Sequence, residues 1–438
     1  MLLNHMTIKW ENFIDKEQEN IVKEATLQEK SSIVGRVGMI LLSCGSSAWR
    51  VRDAMNNICE SLGIVCSADI GLLSITYNCM DQNDSITQVF TLKSTGVNTA
   101  KLMKIENFVN DFHYHYLEKS IKEIHKQLQE IEQTKELYSV MQASLGAAAA
   151  CAAFAFLLGG GPVEMICTFL GAGTGQFTRK SLRHYKKLSL LLCTVLGVVV
   201  SSLTYAGVIT LAEYCLQLGT KHEAGYVCAM LFVIPGYPFI TSGIDFAKSD
   251  MRSGLERLMY AVMMVVVSTT VAWIVALVIH FQPGELTKME IPFVLNIVLQ
   301  GVTSFVGVFG FSILFNSPIR MAVTAGMIGA IANVFRLQLV EMTSIPAAAA
   351  AFLGAFLAGI ITTMVRRKVN YPRTTLTIPA IVVMVPGLFL YHAIYNIGNM
   401  NLETGVLFLD KAIFIIIALP LGLIFARMLS EERFRRCI

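Results

Sequence analysis

The chain has 438 residues, of which 54% are hydrophobic and only 15% charged, with a formal net charge of +4 and a mean hydropathy of +0.58. Soluble domains carry about 25% charged residues, so this composition argues against a water-soluble enzyme. The charge is unevenly divided: residues 1–140 hold 14 Lys/Arg and 18 Asp/Glu, and the remainder holds 21 and 13, so a soluble front domain precedes a membrane domain.

The start, Met1 to Lys30, is polar and has no apolar stretch that could serve as a cleaved secretory signal, which leaves the front domain in the cytoplasm. Residues 31–62 read as two helices around Cys44-Gly45-Ser46-Ser47, with Ser47 as the cap of the helix bearing Arg50, Arg52 and Asp53. Segments 64–67, 72–77 and 86–92 alternate as short strands, and Asp81-Gln82-Asn83-Asp84 forms a turn between two of them. From Asn98 to Tyr138 the pattern is helical, with Glu118 and Lys122 at a supportive i, i+4 spacing. Residues 1–140 therefore predict a small α+β cytoplasmic domain joined by a charged helix to the membrane part.

Catalytic chemistry finds no foothold there. His113 and His115 lie two apart on a helix and diverge, which disfavours a metal site. No phosphate loop or nucleophile elbow is present. The ten cysteines contain no C-x-x-C pair and read as small packing residues. No cofactor, metal or nucleic-acid partner is expected.

After Gln142 come ten apolar segments long enough to cross a bilayer: 143–159, 162–178, 188–212, 224–244, 257–281, 292–315, 318–336, 345–365, 377–398 and 405–427. Lys and Arg collect on cytoplasmic loops. With the front domain inside, the cytoplasmic connections hold 17: Arg179, Lys180, Arg183, Lys186, Lys187, Lys248, Arg252, Arg257, Arg320, Arg366, Arg367, Lys368, Arg373, Arg427, Arg433, Arg435 and Arg436. The outer connections hold four: Lys221, Lys288, Arg336 and Lys411. That asymmetry supports ten spans with both termini in the cytoplasm.

Two spans share a device. Pro235-Gly236 interrupts the fourth and Pro386-Gly387 the ninth, each after an apolar run and before polar positions: Thr241, Ser242 and Asp245 in one, His392 and Asn396 in the other. Pairing the prolines sets Asp245 opposite Asn396. The breaks are five spans apart, and a unit of an odd number of spans must re-enter from the opposite face, so 141–284 and 285–438 read as inverted five-helix repeats. Proline removes a donor and glycine allows a sharp turn, and the freed backbone groups suit a zwitterion. Pro235, Gly236, Thr241, Asp245, Pro386, Gly387, His392 and Asn396 are thus the candidate substrate contacts, with Asp245 the candidate for proton coupling. Gln176, Asn296, Gln300 and Asn333 either line a pathway or bond between helices, and Glu164 lies just inside the second span.

Gly45–Arg52 (GSSAWRVR), Phe232–Phe246 (FVIPGYPFITSGIDF) and Val383–Phe389 (VMVPGLF) resemble the bacterial threonine/serine exporter family, and the resemblance runs from about residue 30 onward. It implies a mainly α inner-membrane secondary transporter that exports threonine or serine, coupled to protons, by alternating access. Two-chain relatives are associated with dicarboxylate export, which is the alternative substrate; a membrane enzyme using the front domain is the alternative class. A homo-oligomer stays open. The chain departs from the family pattern at Arg52, where an acid is usual, and its two breaks differ in carrying Asp245 and Asn396.

Overall fold

The computed structural model describes residues 8–13, 20–216, 225–281, 291–369 and 371–432. Lys221, Lys288, Arg433, Arg435, Arg436, Cys437 and the expected boundary at residues 284 and 285 lie outside the described residues. Two compact bodies emerge: Met1–Glu136 with Ile244–Arg257, and Leu137–Gly243 with Leu258–Ile438.

The first body is α+β. Helices α1 (Leu27–Ser43) and α2 (Ala48–Leu62) precede strands β1 (Val65–Ile70), β2 (Ser74–Met80) and β3 (Ser85–Thr91), followed by α3 (Thr99–His115) and α4 (Ile121–Glu132). The strands form an antiparallel meander in the order β1-β2-β3, with Cys66 opposite Cys79 and Ile75 opposite Phe90. α1 starts at a reciprocal cap in which Thr26 Oγ1 accepts from the Glu29 N–H and the Glu29 carboxylate accepts from the Thr26 N–H. Ile33, Val37, Leu41, Met55, Ile58, Ile75, Phe112 and Ile124 fill the core between helices and sheet. The three cysteines Cys59, Cys66 and Cys79 converge there, their sulfurs within 4.8 Å of one another.

Two local expectations need correction. Ser47 does stand at the N-cap of α2, but its side chain makes no capping bond. Residues 98–138 are not one helical run: α3 stops at His115, and α4 restarts behind a second reciprocal cap made by Ser120 and Glu123. Glu118 falls between the two helices and pairs with Lys23, not Lys122. A Ser three residues before Glu is a strong start signal, and it outweighs the i, i+4 pattern that ran across it.

The second body is helical. It contains α5 (Val140–Leu157), α6 (Pro162–Lys186), α7 (Leu190–Leu216) and α8 (Gly225–Cys228), then a 3-10 turn at Leu231–Val233 and the start of α9 (Gly236–Ala247). Most of α10 (Met251–Val278) follows, then α11 (Phe293–Leu314), α12 (Ile319–Met342), α13 (Ala347–Val369), α14 (Arg373–Val382), α15 (Gly387–Gly398) and α16 (Leu402–Ser430). Among the described residues seven helices are long and apolar enough to cross a membrane, and nine spans result if each of two bent pairs counts as one. The bent pairs contain the two Pro-Gly steps.

The expected second span, 162–178, lies inside α6 but does not join these nine. Its 25 residues, about 37 Å at 1.5 Å per residue, are long enough, but Glu164, Gln176 and Arg179 with many Gly and Thr make it too polar. Several cations assigned to connections also ride on helices: Arg179, Lys180, Arg183 and Lys186 on α6, Arg336 on α12, Arg366 on α13 and Arg427 on α16. Helices continue past their apolar stretch because long cationic side chains can lie along apolar surface and carry their charge outward.

A buried histidine contributes to the acid sensitivity of the first body. His125 Nε2 donates to Ser32 Oγ (2.9 Å), whose own hydrogen goes to the Glu29 carbonyl, and Nδ1 accepts from Arg36 Nη1 (3.2 Å). Both ring nitrogens are satisfied only in the neutral form. Burial, with the Arg36 charge, pushes its pKa down to about 3. The unfolded chain binds a proton near pH 6.5, so this contribution to stability is complete above that value and drains away as pH falls toward 3. Thermal unfolding, followed by the fluorescence of Trp10 packed beside His125, is expected at progressively lower temperature from pH 7 to pH 4, with a shallower dependence in His125→Gln.

Candidate functional site

Both breaks are built bond for bond alike. At the first, the chain leaves the Leu231–Val233 turn, passes Ile234 in an extended conformation, and restarts as α9 with a bend of 60°. At the second, α14 gives way to α15 with a bend of 49°. The Ile234 N–H donates to the Leu231 carbonyl (3.1 Å) and the Val385 N–H to that of Val382 (3.2 Å). Gly236 N–H reaches back to Ile234 O, and Gly387 N–H to Val385 O, each at 2.9 Å. Such a two-residue bond around a proline is an inverse γ-turn, and Pro386 has φ −81 and ψ 52. Proline suits it because the ring fixes φ and no amide hydrogen is wasted.

The breaks also pack against each other. A Cβ on Gly236 would come within 2.7 Å of Val382 and 3.2 Å of Val385; a Cβ on Gly387 would come within 2.6 Å of Ile234 and 2.9 Å of Leu231. Aligning Pro235 with Pro386 makes Leu231 the counterpart of Val382 and Ile234 that of Val385. Each glycine therefore touches the counterparts of the residues that touch its own counterpart, as in a two-fold contact. Only glycine leaves room for this approach. The first helices of the two blocks meet as well: Gly146 faces Gly310 and Ile313, Ala150 faces Gly310, and Ala153 faces Gly307. Residue numbers rise on α5 as they fall on α11, so these helices run antiparallel.

The expected site residues are distributed unevenly around this contact. Pro235, Gly236, Pro386 and Gly387 form it. Thr241 is buried one turn into α9, its hydroxyl donating to the carbonyls of Tyr237 and Pro238, both at 3.2 Å. His392 lies on α15 with its ring stacked on Phe408 at 5.0 Å. Asn396 donates from Nδ2 to the His392 carbonyl (2.8 Å).

Asp245 belongs to the first body and is fully buried there. Its Oδ1 accepts from the Ala48 N–H (2.9 Å) and Oδ2 from Ser253 Oγ (3.1 Å), and Arg257 Nε stands 3.0 Å from Oδ2. The carboxylate supplies the cap of α2 that Ser47 does not provide. Arg257 in turn donates to the carbonyls of Ser46 (2.6 Å) and Gly45 (3.5 Å). Gly45 adopts φ +80, a left-handed conformation that favours glycine. Two nearer cations bond elsewhere: Arg252 pairs with Asp69 and Glu256, and Lys248 lies over the Trp49 ring. Sequence reasoning missed Arg257 as the partner, although its spacing of 12 from Asp245 was visible; nothing in the sequence showed that a turn would fold the two together.

A family model described as a putative threonine/serine exporter matches residues 32–280, and one described as threonine/serine exporter, ThrE, matches residues 300–429. The chain belongs to the threonine/serine exporter family. It is a multi-pass membrane transporter and not an enzyme. The probable succinate transporter subunit YjjP of Escherichia coli (strain K12) is 22% identical over 228 residues, covering 50% of this chain and 83% of the relative. No solved structure matches the exporter. The motifs behind the resemblance now have physical roles: Gly45–Arg52 is the turn and helix start held by Asp245 and Arg257, and the two Pro-Gly segments are the mutually packed breaks.

Removing one member of a buried ion pair strands the other. Asp245→Ala should destabilise the exporter by about 3–5 kcal/mol, including loss of the α2 cap. Asp245→Ala combined with Arg257→Met should cost less than Asp245→Ala alone. Thermal unfolding in detergent, with the wild type and the two variants compared in one buffer, checks both.

Proposed function

We propose that this protein exports threonine, serine or closely similar small amino acids as a proton-coupled secondary transporter, and that the paired breaks bind the solute. The observation that carries the reading is the reciprocal packing of Gly236 on Val382 and Val385 and of Gly387 on Leu231 and Ile234, inside a member of the threonine/serine exporter family. Two antiparallel five-span units related by a two-fold axis in the membrane plane account for that packing and for the antiparallel α5 and α11. In this reading α6 is the tenth span, tolerated in the bilayer because its Gly/Thr/Gln face is buried.

Rocking of one unit against the other would open the shared contact to each side in turn. Bare backbone at the breaks, together with Thr241, His392 and Asn396, supplies polar contacts. Asp245 is the coupling group: protonation would weaken its pair with Arg257 and release the cap of α2. In this reading both termini lie in the cytoplasm of a bacterial inner membrane, which the 17 to 4 distribution of Lys and Arg between alternate connections supports.

The probable succinate transporter subunit favours a second substrate class, dicarboxylates, and one experiment separates the two. In proteoliposomes, preloaded threonine or serine should drive counterflow of labelled threonine, an outward pH gradient should change net flux, and succinate should not compete. Gly236→Val or Gly387→Val should reduce counterflow to background while the protein still inserts, since a branched side chain would force the breaks apart. Counterflow with succinate alone would assign the exporter to the dicarboxylate class; counterflow with neither would remove the reading.

A further inference from the structure

The second helix of each block carries an amide and an arginine one turn apart: Gln176 and Arg179 on α6, Asn333 and Arg336 on α12. The pairs are 157 residues apart, and so are the glycines they lean on, Gly197 and Gly354. A Cβ on Gly197 would lie 3.0 Å from the Arg179 Cβ, and one on Gly354 would lie 3.1 Å from the Arg336 Cβ. The correspondence thus reaches tertiary contacts. Both pairs also neighbour the breaks: Gly175, beside Gln176, meets Phe232, and Gly354 meets Met384.

The pairs differ in one respect. Arg336 Nε donates to Asn333 Oδ1 (3.0 Å), and Asn333 Nδ2 donates to Ser304 Oγ (2.8 Å), so the α12 device is closed on itself. On α6 the equivalent atoms, Arg179 Nε and Gln176 Oε1, are both buried and both without a partner, and Gln176 is only 5% exposed. Thr194 Oγ1, fully buried on α7 one turn before Gly197, is also unpartnered. Among the described residues no carboxylate pairs with Arg179. An idle buried donor or acceptor costs about 1–3 kcal/mol, more when charged, so this arrangement needs a ligand to complete it.

The ligand must accept a hydrogen bond from a guanidinium and donate one to an amide oxygen on the same helix face. An α-amino acid offers a carboxylate and an ammonium one carbon apart. We infer that Gln176 and Arg179 bind the zwitterionic end of the transported amino acid, Arg179 Nε donating to its carboxylate and Gln176 Oε1 accepting from its ammonium. This assignment rests on the reading of the protein as an amino-acid carrier and names its recognition site. It also gives a basis for selectivity. A dicarboxylate would satisfy Arg179 but bring no hydrogen-bond donor to Gln176 Oε1. The self-bonded Asn333–Arg336 pair takes no part in recognition.

The test measures binding and transport separately. Ligand-induced thermal stabilisation of the full-length protein in detergent gives affinities for threonine, threonine amide, which lacks the carboxylate, and 3-hydroxybutyrate, which lacks the ammonium. Counterflow in proteoliposomes gives KM. In the wild type each missing group should weaken binding by about tenfold or more, as for a charge-assisted hydrogen bond. Arg179→Ala should erase the penalty for the missing carboxylate, with Arg179→Lys intermediate. Gln176→Leu should erase the penalty for the missing ammonium, and Gln176→Glu should retain it. Arg336→Lys should leave both penalties in place.

Wild-type protein that fails to bind threonine, or variants that shift all three solutes equally, would overturn the assignment. So would Arg179 and Gln176 variants that keep both penalties. Threonine that binds with this pattern but does not cross in counterflow would leave the site standing and remove the transport reading. If Arg179→Ala does not fold, the wild-type panel with Arg179→Lys and Gln176→Leu decides the matter.

Discussion

A helix that stops inside a membrane leaves backbone groups with no water to bond, and this constraint organises the helical body. At Pro235 and Pro386 the broken ladder is partly repaired by the γ-turn from Gly236 to Ile234 and from Gly387 to Val385. The rest of the cost falls if the break faces protein instead of lipid. Here each break faces the other. The close approach requires glycine on both sides, because any Cβ would meet the side chains of the opposing turn at under 3 Å. A weakness in one helix thus becomes tolerable because the other helix has the same weakness in the same place.

The two blocks share more than their breaks. Arg179 leans on Gly197 as Arg336 leans on Gly354, and in both cases the glycine helix lies beside the segment that leads into the Pro-Gly step. The chemistry within this common frame is unequal. One amide–arginine pair bonds to itself and the other does not. Similarly, Asp245 and Asn396 occupy equivalent positions, but Asp245 is drawn into a network with Ala48, Ser253 and Arg257 while Asn396 bonds back to its own helix. The similar frame therefore carries unequal polar groups, bonded on one side and unpartnered on the other.

The first body shows how a charged group can substitute for a local signal. A serine stands at the N-cap of α2, yet the α2 amide bonds to the carboxylate of Asp245, 197 residues away in sequence. Arg257 then neutralises that carboxylate and fastens the turn at Gly45 and Ser46. A carboxylate binds the positive end of a helix more strongly than a neutral hydroxyl does. The buried His125, held neutral between Ser32 and Arg36, is a second polar assembly in the same core, bonded at both ring nitrogens.

Composition and periodicity by themselves determined the division into a polar front domain and an apolar remainder, the three strands, most of the spans and both Pro-Gly breaks. These are local properties: hydropathy over a helix length, alternation along a strand, the missing amide of a proline. The sequence could also match Pro235 with Pro386, because a five-residue pattern repeats. It could not tell that Ser47 would leave its cap to a distant aspartate. Nor could it tell which of the polar residues Gln176, Asn333, Asp245 and Asn396 would find partners. Those outcomes depend on which side chains the folded chain brings within about 3 Å of one another. Hydrogen bonds and ion pairs act only at that range, and a sequence orders residues along the chain without bringing them together.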